Sequence, residues 1–274
     1  MQHIRDQGLC NQEEMRMATS IAVSGKGGSG KTTVASMIIR CLLERGAQHG
    51  KALRSGAILA VDADPNSCLA LTLGIEPART IAEIREEARG KPATNTGADR
   101  LRTFEYGIQQ AIREAKGYDL LTMGRPEGPD CYCAANNMLR QFMDKLNSQY
   151  KYVIIDNEAG MEHLSRRTTN NVDLLLVVAD ATPIGIITAK RILGLANELP
   201  ITVKDIGIVW NRTDAAPEQD SQANGMQTFG CVPTDQSVLQ ASMKGKSIFE
   251  LDADSPALSA VCEILDSRLE KLKD

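Results

Sequence analysis

The chain has 274 residues, 42% hydrophobic and 24% charged, with a formal net charge of −4, the composition of an ordinary soluble globular protein. The acidic balance argues against a nucleic-acid partner, and the lack of any run of 18 apolar residues argues against a membrane span. Residues 1–18, MQHIRDQGLCNQEEMRMA, are polar and carry no apolar signal-peptide core, so they read as an N-terminal extension of a cytoplasmic protein, with Met17 as an alternative start.

Apolar runs then alternate with amphipathic stretches, the pattern of βαβ units. In chain order the sequence predicts a strand at Ser20–Ser24, a helix at Lys31–Arg45, a strand at Ala57–Asp62 and a helix at Ile81–Ala88. A loop over Arg89–Arg102 leads to a strand at Asp119–Gly124, a helix at Ala134–Ser148 and strands at Tyr152–Asp156 and Leu174–Asp180. A helix at Gly185–Leu199, strands at Ile206–Asn211 and Gly230–Val232, and helices at Gln236–Met243 and Pro256–Leu272 complete the series. The runs YVIID and LLLVVAD are almost continuously apolar, as in strands covered on both faces. Residues 19–274 are therefore expected to form one α/β domain, a doubly wound, mostly parallel sheet with helices on both faces. Ligands of such folds sit at the carboxyl ends of the strands.

Between the first strand and the first helix lies SGKGGSGKTT, Ser24–Thr33. Gly25, Gly30, Lys31 and Thr32 fit G-x-x-x-x-G-K-[ST] in the strand–loop–helix setting that gives this pattern meaning. Glycines at Gly25, Gly27, Gly28 and Gly30, with the small Ser29, let backbone N–H groups close around the phosphates of ATP or ADP. The helix N-terminus adds a favourable dipole. Lys31 neutralises phosphate charge, the Thr32 hydroxyl ligates Mg²⁺, and Thr33 is placed for the α-phosphate. Lys26 comes five residues before Lys31, on the outer lip of the loop, where a cation serves a second nucleotide facing it rather than its own.

Asp62-Ala63-Asp64-Pro65 follows the second strand, and Asp156 ends YVIID, where it can hold a magnesium-bound water. Asn157–Gly160 follows that strand and reads as a switch segment with Gly160 as hinge. Asn211 in VWNRTD and Pro233 in GCVPTD lie after later strands.

The seven cysteines are an odd count for a cytoplasmic protein, which points to buried thiols and a metal or redox site rather than a disulfide framework. Cys131 and Cys133, in GPDCYCAANN, are one residue apart. In an extended strand their α-carbons would lie about 6.6 Å apart, so two sulfurs on one ion, each at about 2.3 Å, require the segment to bend. Thiols at a helix N-terminus form thiolates readily. Two thiolates are half of a tetrahedral site, and a twofold dimer with its axis through the metal supplies the rest. Four thiolates suit Zn²⁺, an iron–sulfur cluster or Ni²⁺. Cys68 is read as a thiol packed on the sheet, and Cys10, Cys41, Cys231 and Cys262 as isolated core or tail thiols. His163, beside Glu162, is read as a packing or surface residue.

Lys26–Thr33 resembles the deviant Walker A signature K-G-G-x-G-K-[ST]-[ST] of the MinD/ParA/nitrogenase-iron-protein class of dimeric ATPases. That resemblance implies a homodimer in which Lys26 reaches the partner's phosphates. It implies that Asp64 orients the attacking water, that Asp62 joins the magnesium shell, and that Asn211 and Pro233 contact adenine. Val61–Cys68, the C-Y-C pair and Asp156–Leu164 (D-N-E-A-G-M-E-H-L) further resemble the CooC type, nickel-insertion ATPases that mature carbon monoxide dehydrogenase. The resemblance runs from about Thr19 to the C-terminus. Outside it lie the leader, a longer loop at Gly46–Gly56, and Ser29 in place of the commoner valine. It implies an ATPase that carries Ni²⁺ on Cys131 and Cys133 to apo-carbon monoxide dehydrogenase or acetyl-CoA synthase. Two other readings compete. One is an iron–sulfur redox ATPase like the nitrogenase iron protein. The other is a MinD- or ParA-type positioning ATPase, against which the acidic balance and the mixed-charge C-terminal helix count.

Overall fold

The structure is a computed structural model that describes residues 18–48, 57–76, 78–90, 106–125, 149–159, 171–199, 201–217 and 227–273. Eight strands form one sheet: β1 (Thr19–Gly25), β2 (Ile58–Ala63), β3 (Arg113–Glu114), β4 (Tyr118–Thr122), β5 (Tyr152–Asn157), β6 (Asn171–Asp180), β7 (Thr202–Asn211) and β8 (Thr228–Val232). Their order across the sheet is β3-β4-β2-β5-β1-β6-β7-β8. Every pairing is parallel except the two-residue β3, which runs antiparallel to β4 at the edge. The main helices among the described residues are α1 (Lys31–Gln48), α2 (Leu69–Leu73), α3 (Ile81–Gly90), α4 (Pro183–Glu198), α5 (Gln236–Met243) and α6 (Pro256–Lys271). A helical turn at 106–111 and a 3₁₀ turn at Ile248–Glu250 join them.

Side chains alternate across a strand, so each strand feeds two cores. One contains Ala22, Val61, Ile155, Val177 and Trp210, packed with α3 and α4 through Ile81, Ile84, Ile186 and Ile192. The other contains Ile21, Val23, Ala60, Ile154 and Val178, packed with Val34, Ile38 and Leu42 of α1 and Leu258, Val261 and Leu265 of α6. Burial on both faces explains why β5 and β6 carry no alternating polar residue over most of their length. The doubly wound expectation holds, and the expected elements appear with ends moved by a few residues. The helix expected at Ala134–Ser148 lies outside the described residues.

Three features of this second core are absent from the sequence reading. Cys41 and Cys262, expected as isolated thiols, form a disulfide between α1 and α6, with Cα atoms 5.5 Å apart. Residues 221 positions apart meet because both helices cover the same sheet face, a proximity that no local pattern announces. Buried Arg40 of α1 donates from Nη1 to the carbonyls of Ile248 and Leu251, at 2.8 and 2.9 Å, and its Nε pairs with Glu44. Asp235 serves two helices at once. One oxygen accepts from the Ser237 amide and hydroxyl at the start of α5, and the other from Ser255 Oγ and the Ala257 amide at the start of α6. Burial pushes this carboxyl up, but the hydrogen bonds outweigh it and hold it at about 2.

The disulfide closes a loop of more than two hundred residues, so its removal frees much chain entropy in the unfolded state. Cys262→Ser is expected to lower unfolding free energy by about 2–4 kcal/mol in guanidinium titrations. Dithiothreitol is expected to produce the same shift in the parent and none in the variant.

Candidate nucleotide site

The carboxyl edge of the sheet is built by register. Asp62 of β2 stands level with Thr122 of β4 on one side and Asp156 of β5 on the other, and Asp156 is level with Val23 of β1. Level residues on parallel neighbours share a face, and neighbouring strands lie about 4.8 Å apart. Ala60, Ile154 and Ile21, two residues earlier on their strands, all belong to the core under α1. Asp62 and Asp156 therefore face the same side as α1, whose first residues are Lys31 and Thr32.

The loop from Gly25 to Gly30 crosses this edge. Gly25 has φ 155°, and a Cβ there would lie 2.2 Å from the Val178 carbonyl of β6, so no side chain fits. Lys31 is 6% exposed and donates from Nζ to the Lys26 carbonyl at 3.3 Å, across the base of the loop. The Lys26 side chain, with Gly27 and Gly28, is exposed. Lys31 thus lies inside the loop and Lys26 on its exposed lip.

Polar atoms gather here without protein partners. Ser24 Oγ, Ser29 Oγ, Thr122 Oγ1 and Asn157 Oδ1 are buried without a hydrogen-bond partner among the described residues, and the buried Asp156 oxygens have beside them only the Thr32 hydroxyl. Orphaned buried groups are rare in native proteins and mark places completed by water, an ion or a ligand. The Asp156 carboxyl is pushed up to about 7 by burial; the nearby Thr32 hydroxyl opposes the rise, Asp62 adds to it, and Lys31 opposes it. Asp62 is pushed up to about 6, again chiefly by burial. A buried carboxylate with free oxygens beside a threonine hydroxyl is the hard oxygen set that Mg²⁺ takes, so the residues fit that ion.

Asp62 also organises the loop after β2. Its Oδ2 accepts from the Leu69 amide at 2.9 Å and its Oδ1 from the Asp64 amide at 3.2 Å. Asp64 is half-buried and turns the chain by accepting from the amide and side chain of Asn66, both at 2.9 Å. The bracing by Asp62 and the short helix α2 that follows are not readable from D-A-D-P alone. Cys68, expected to be buried on the sheet, is instead exposed at the start of α2. Its thiol is pushed up by partial burial and by Asp62, Asp64 and Asp156, which disfavours the thiolate.

At the far end, Asn211 of β7 is level with Asp180 and Val232, so Pro233 follows beside it on the same edge. Asn211 Nδ2 donates to the Ser29 carbonyl of the loop at 2.7 Å. Asn157 Nδ2 donates to the Val23 carbonyl at 3.1 Å, fixing the end of β5 to the strand that launches the loop. Sequence reasoning singled out neither Thr122 nor the bracing role of Asn157, since nothing local shows that their strands border β2 and β1. Cys131, Cys133, Gly160 and His163 lie outside the described residues. Within those residues no group of His, Cys, Asp and Glu side chains is arranged to hold a metal by itself.

The sequence family described as the CobQ/CobB/MinD/ParA nucleotide binding domain matches residues 20–248. The chain belongs to that family. The fold of the CobQ/CobB/MinD/ParA family accounts for the whole described sheet. Among curated relatives, an uncharacterized ATP-binding protein of Methanocaldococcus jannaschii is 42% identical over 261 residues, covering 92% of this chain and 98% of that protein. The carbon monoxide dehydrogenase accessory protein CooC of Rhodospirillum rubrum is 29% identical over 260 residues, covering 86% of this chain and 90% of that protein. Among solved structures, the cell division ATPase MinD of Pyrococcus furiosus superposes with a TM-score of 0.65 at 21% identity, covering 93% of this chain and all of that one. The septum site-determining protein MinD of Pyrococcus horikoshii, solved with Mg-ADP, gives 0.65 at 18% identity, covering 94% and 98%.

Two neighbouring carboxyls raised by burial have a measurable consequence. A carboxyl whose folded pKa lies above its unfolded value stabilises the fold below about pH 4, and that contribution is lost as pH rises through 6 to 7. The nucleotide-free protein is therefore expected to melt at lower temperature at pH 8 than at pH 5. Asp156→Asn should raise pH 8 stability by about 2 kcal/mol and flatten the profile, as read by calorimetric melts. A steeper profile in the variant is the contrary result.

Proposed function

We propose that this protein is an ATP-dependent metallochaperone, a nucleotide-gated homodimer that takes up Ni²⁺ on Cys131 and Cys133. Its client is apo-carbon monoxide dehydrogenase or acetyl-CoA synthase. The observation that carries the nucleotide half of this reading is the division of labour between the two lysines. Lys31 is buried inside the phosphate loop, whereas Lys26 stands exposed on its lip. A cation so placed suits a phosphate chain on a facing protomer, like an arginine finger acting in trans. The cargo half rests on the C-Y-C pair and on the 29% likeness to CooC, which spans nine-tenths of that protein.

In this reading Gly25–Thr33 wraps the ATP phosphates, Lys31 neutralises them and Thr33 meets the α-phosphate. Asp156 and Thr32 hold the magnesium shell with Asp62 behind them, and Asp64 orients the attacking water. Bound Mg²⁺ supplies charge neutralisation at the phosphates. Asn211 and Pro233 border the base. Closure of the dimer joins two Cys131/Cys133 pairs into one four-sulfur site, and hydrolysis to ADP reopens it, so nucleotide binding and metal affinity are coupled. Zn²⁺ competes for the same thiolates. A membrane-positioning role is disfavoured because the apolar face of α6 is buried, through Leu258, Val261, Ile264 and Leu265.

Two experiments test the two halves. Lys26→Ala and Lys31→Ala should each lose ATPase activity on the order of a hundredfold or more. Mixing the two variants should restore part of it, because one site in the mixed dimer has Lys31 of its own and Lys26 from the partner. No recovery on mixing counts against action in trans. Cys131→Ala combined with Cys133→Ala should abolish stoichiometric Ni²⁺ binding in equilibrium dialysis while MgATP binding persists; retained nickel places the cargo elsewhere.

A further inference from the structure

The end of β7 bears on the phosphate loop in a way that the base-contact expectation for Asn211 does not cover. We propose that Asn211 is a positioning residue for the phosphate-binding backbone: its side-chain amide sets the Ser29–Gly30 peptide so that the Gly30 N–H faces the phosphates. This rests on reading Gly25–Thr33 as the site of the nucleotide phosphates.

The geometry is specific. Asn211 is 8% exposed, and both ends of its amide are engaged by the protein. Nδ2 donates to the Ser29 carbonyl at 2.7 Å, and Oδ1 accepts from the Arg212 amide at 3.0 Å. Reversing the amide would turn its carbonyl oxygen toward the Ser29 carbonyl and its donor toward the Arg212 N–H, so the network fixes its orientation. The peptide bond between Ser29 and Gly30 is planar and trans, so its C=O and N–H point in opposite directions. Holding the carbonyl against Asn211 therefore aims the Gly30 N–H away from Asn211 and, in this reading, at the phosphates. On its other side Gly30 accepts from the Val34 amide at 2.9 Å, the first turn of α1, so the crest of the loop is held from both directions.

Two further features fit a strut and are not needed for a base contact. A Cβ on Gly30 would lie 2.3 Å from Asn211 Nδ2, and Gly30 has φ 94°, so the position excludes a side chain because Asn211 occupies its space. Arg212 adopts φ 60°, a conformation rare for a residue with a side chain. It is held there by the Thr234 hydroxyl, which donates to its carbonyl at 3.3 Å, and by a 3.5 Å pairing of Nη1 with Asp180. The Arg212 N–H, set by the peptide plane that joins it to Asn211, donates to Asn211 Oδ1 and fixes the orientation of the amide.

A residue that reads adenine and one that sets the phosphate loop respond differently to a change of base. MgATP and MgITP differ only on the Watson–Crick edge of the purine, at the six-position and in the proton on N1. Binding of each by calorimetry is compared in the parent, in Asn211→Leu, which keeps the branched shape without the donor, and in Asn211→Ala. The expected result is a rise in Kd of tenfold or more for both nucleotides, with the ATP-to-ITP ratio unchanged within twofold. A loss confined to ATP, or no loss, overturns the assignment. Should neither variant fold, the parent still decides. The ¹⁵N side-chain amide signal of Asn211 is expected to be protected from exchange before any nucleotide is added. Rapid exchange that slows only with ATP overturns it. Failure of the parent to bind MgATP would reject the nucleotide reading itself, whereas the exchange measurement on the free protein reports on the strut independently.

Discussion

Two buried carboxylates at the same level on neighbouring parallel strands set the terms for the rest of this molecule. Asp62 and Asp156 face the side covered by α1, where the phosphate loop begins its helix. Burial raises both carboxyls, and the Asp156 oxygens have only the Thr32 hydroxyl beside them among the described residues. Such an arrangement is costly in an isolated fold, because buried polar groups are normally satisfied. It is reasonable at a site completed by a cation and a phosphate chain. The sheet register, loop and α1 hold those groups in place before any ligand arrives.

Rigidity around this site comes from long-range ties rather than from the loop itself. Asn211 holds the Ser29 carbonyl, Asn157 holds the Val23 carbonyl, and Asp62 holds the amides of Asp64 and Leu69. Behind them α1 is fastened to the C-terminal segment by the Cys41–Cys262 disulfide, by Arg40 on two carbonyls and by the Arg45–Asp266 pair at 2.6 Å. The helix that presents Lys31 and Thr32 is thereby fixed at its body as well as at its tip. By contrast Lys26, Gly27 and Gly28 are exposed, so the lip of the loop is the part left open to a partner.

Much of this was legible in the residues. The apolar runs of β5 and β6 report strands covered on both faces, and G-K-G-G-S-G-K-T-T reports a phosphate loop because backbone approach to an anion demands small residues in that spacing. The different fates of Lys26 and Lys31 followed from their positions in that loop. Less legible were contacts whose partners lie far apart in the chain. The pairing of Cys41 with Cys262, the exposure of Cys68 on a short helix after β2, and the two-helix cap made by Asp235 depend on which elements become neighbours. A count of cysteines or a run of turn residues carries no such information.

The sequence by itself determined the strands, the phosphate loop and the residue types able to hold a magnesium-nucleotide, because local periodicity and backbone sterics act over a few residues. Only the tertiary structure decided that Asp156 keeps its oxygens clear of the backbone while Asp62 braces a loop. It alone placed the Asn211 amide on the Ser29 carbonyl and joined α1 to α6. The physical reason is the order of strands in the sheet. Residues more than a hundred positions apart become neighbours across a strand spacing, and their hydrogen bonds and burial then depend on those neighbours rather than on the adjacent chain.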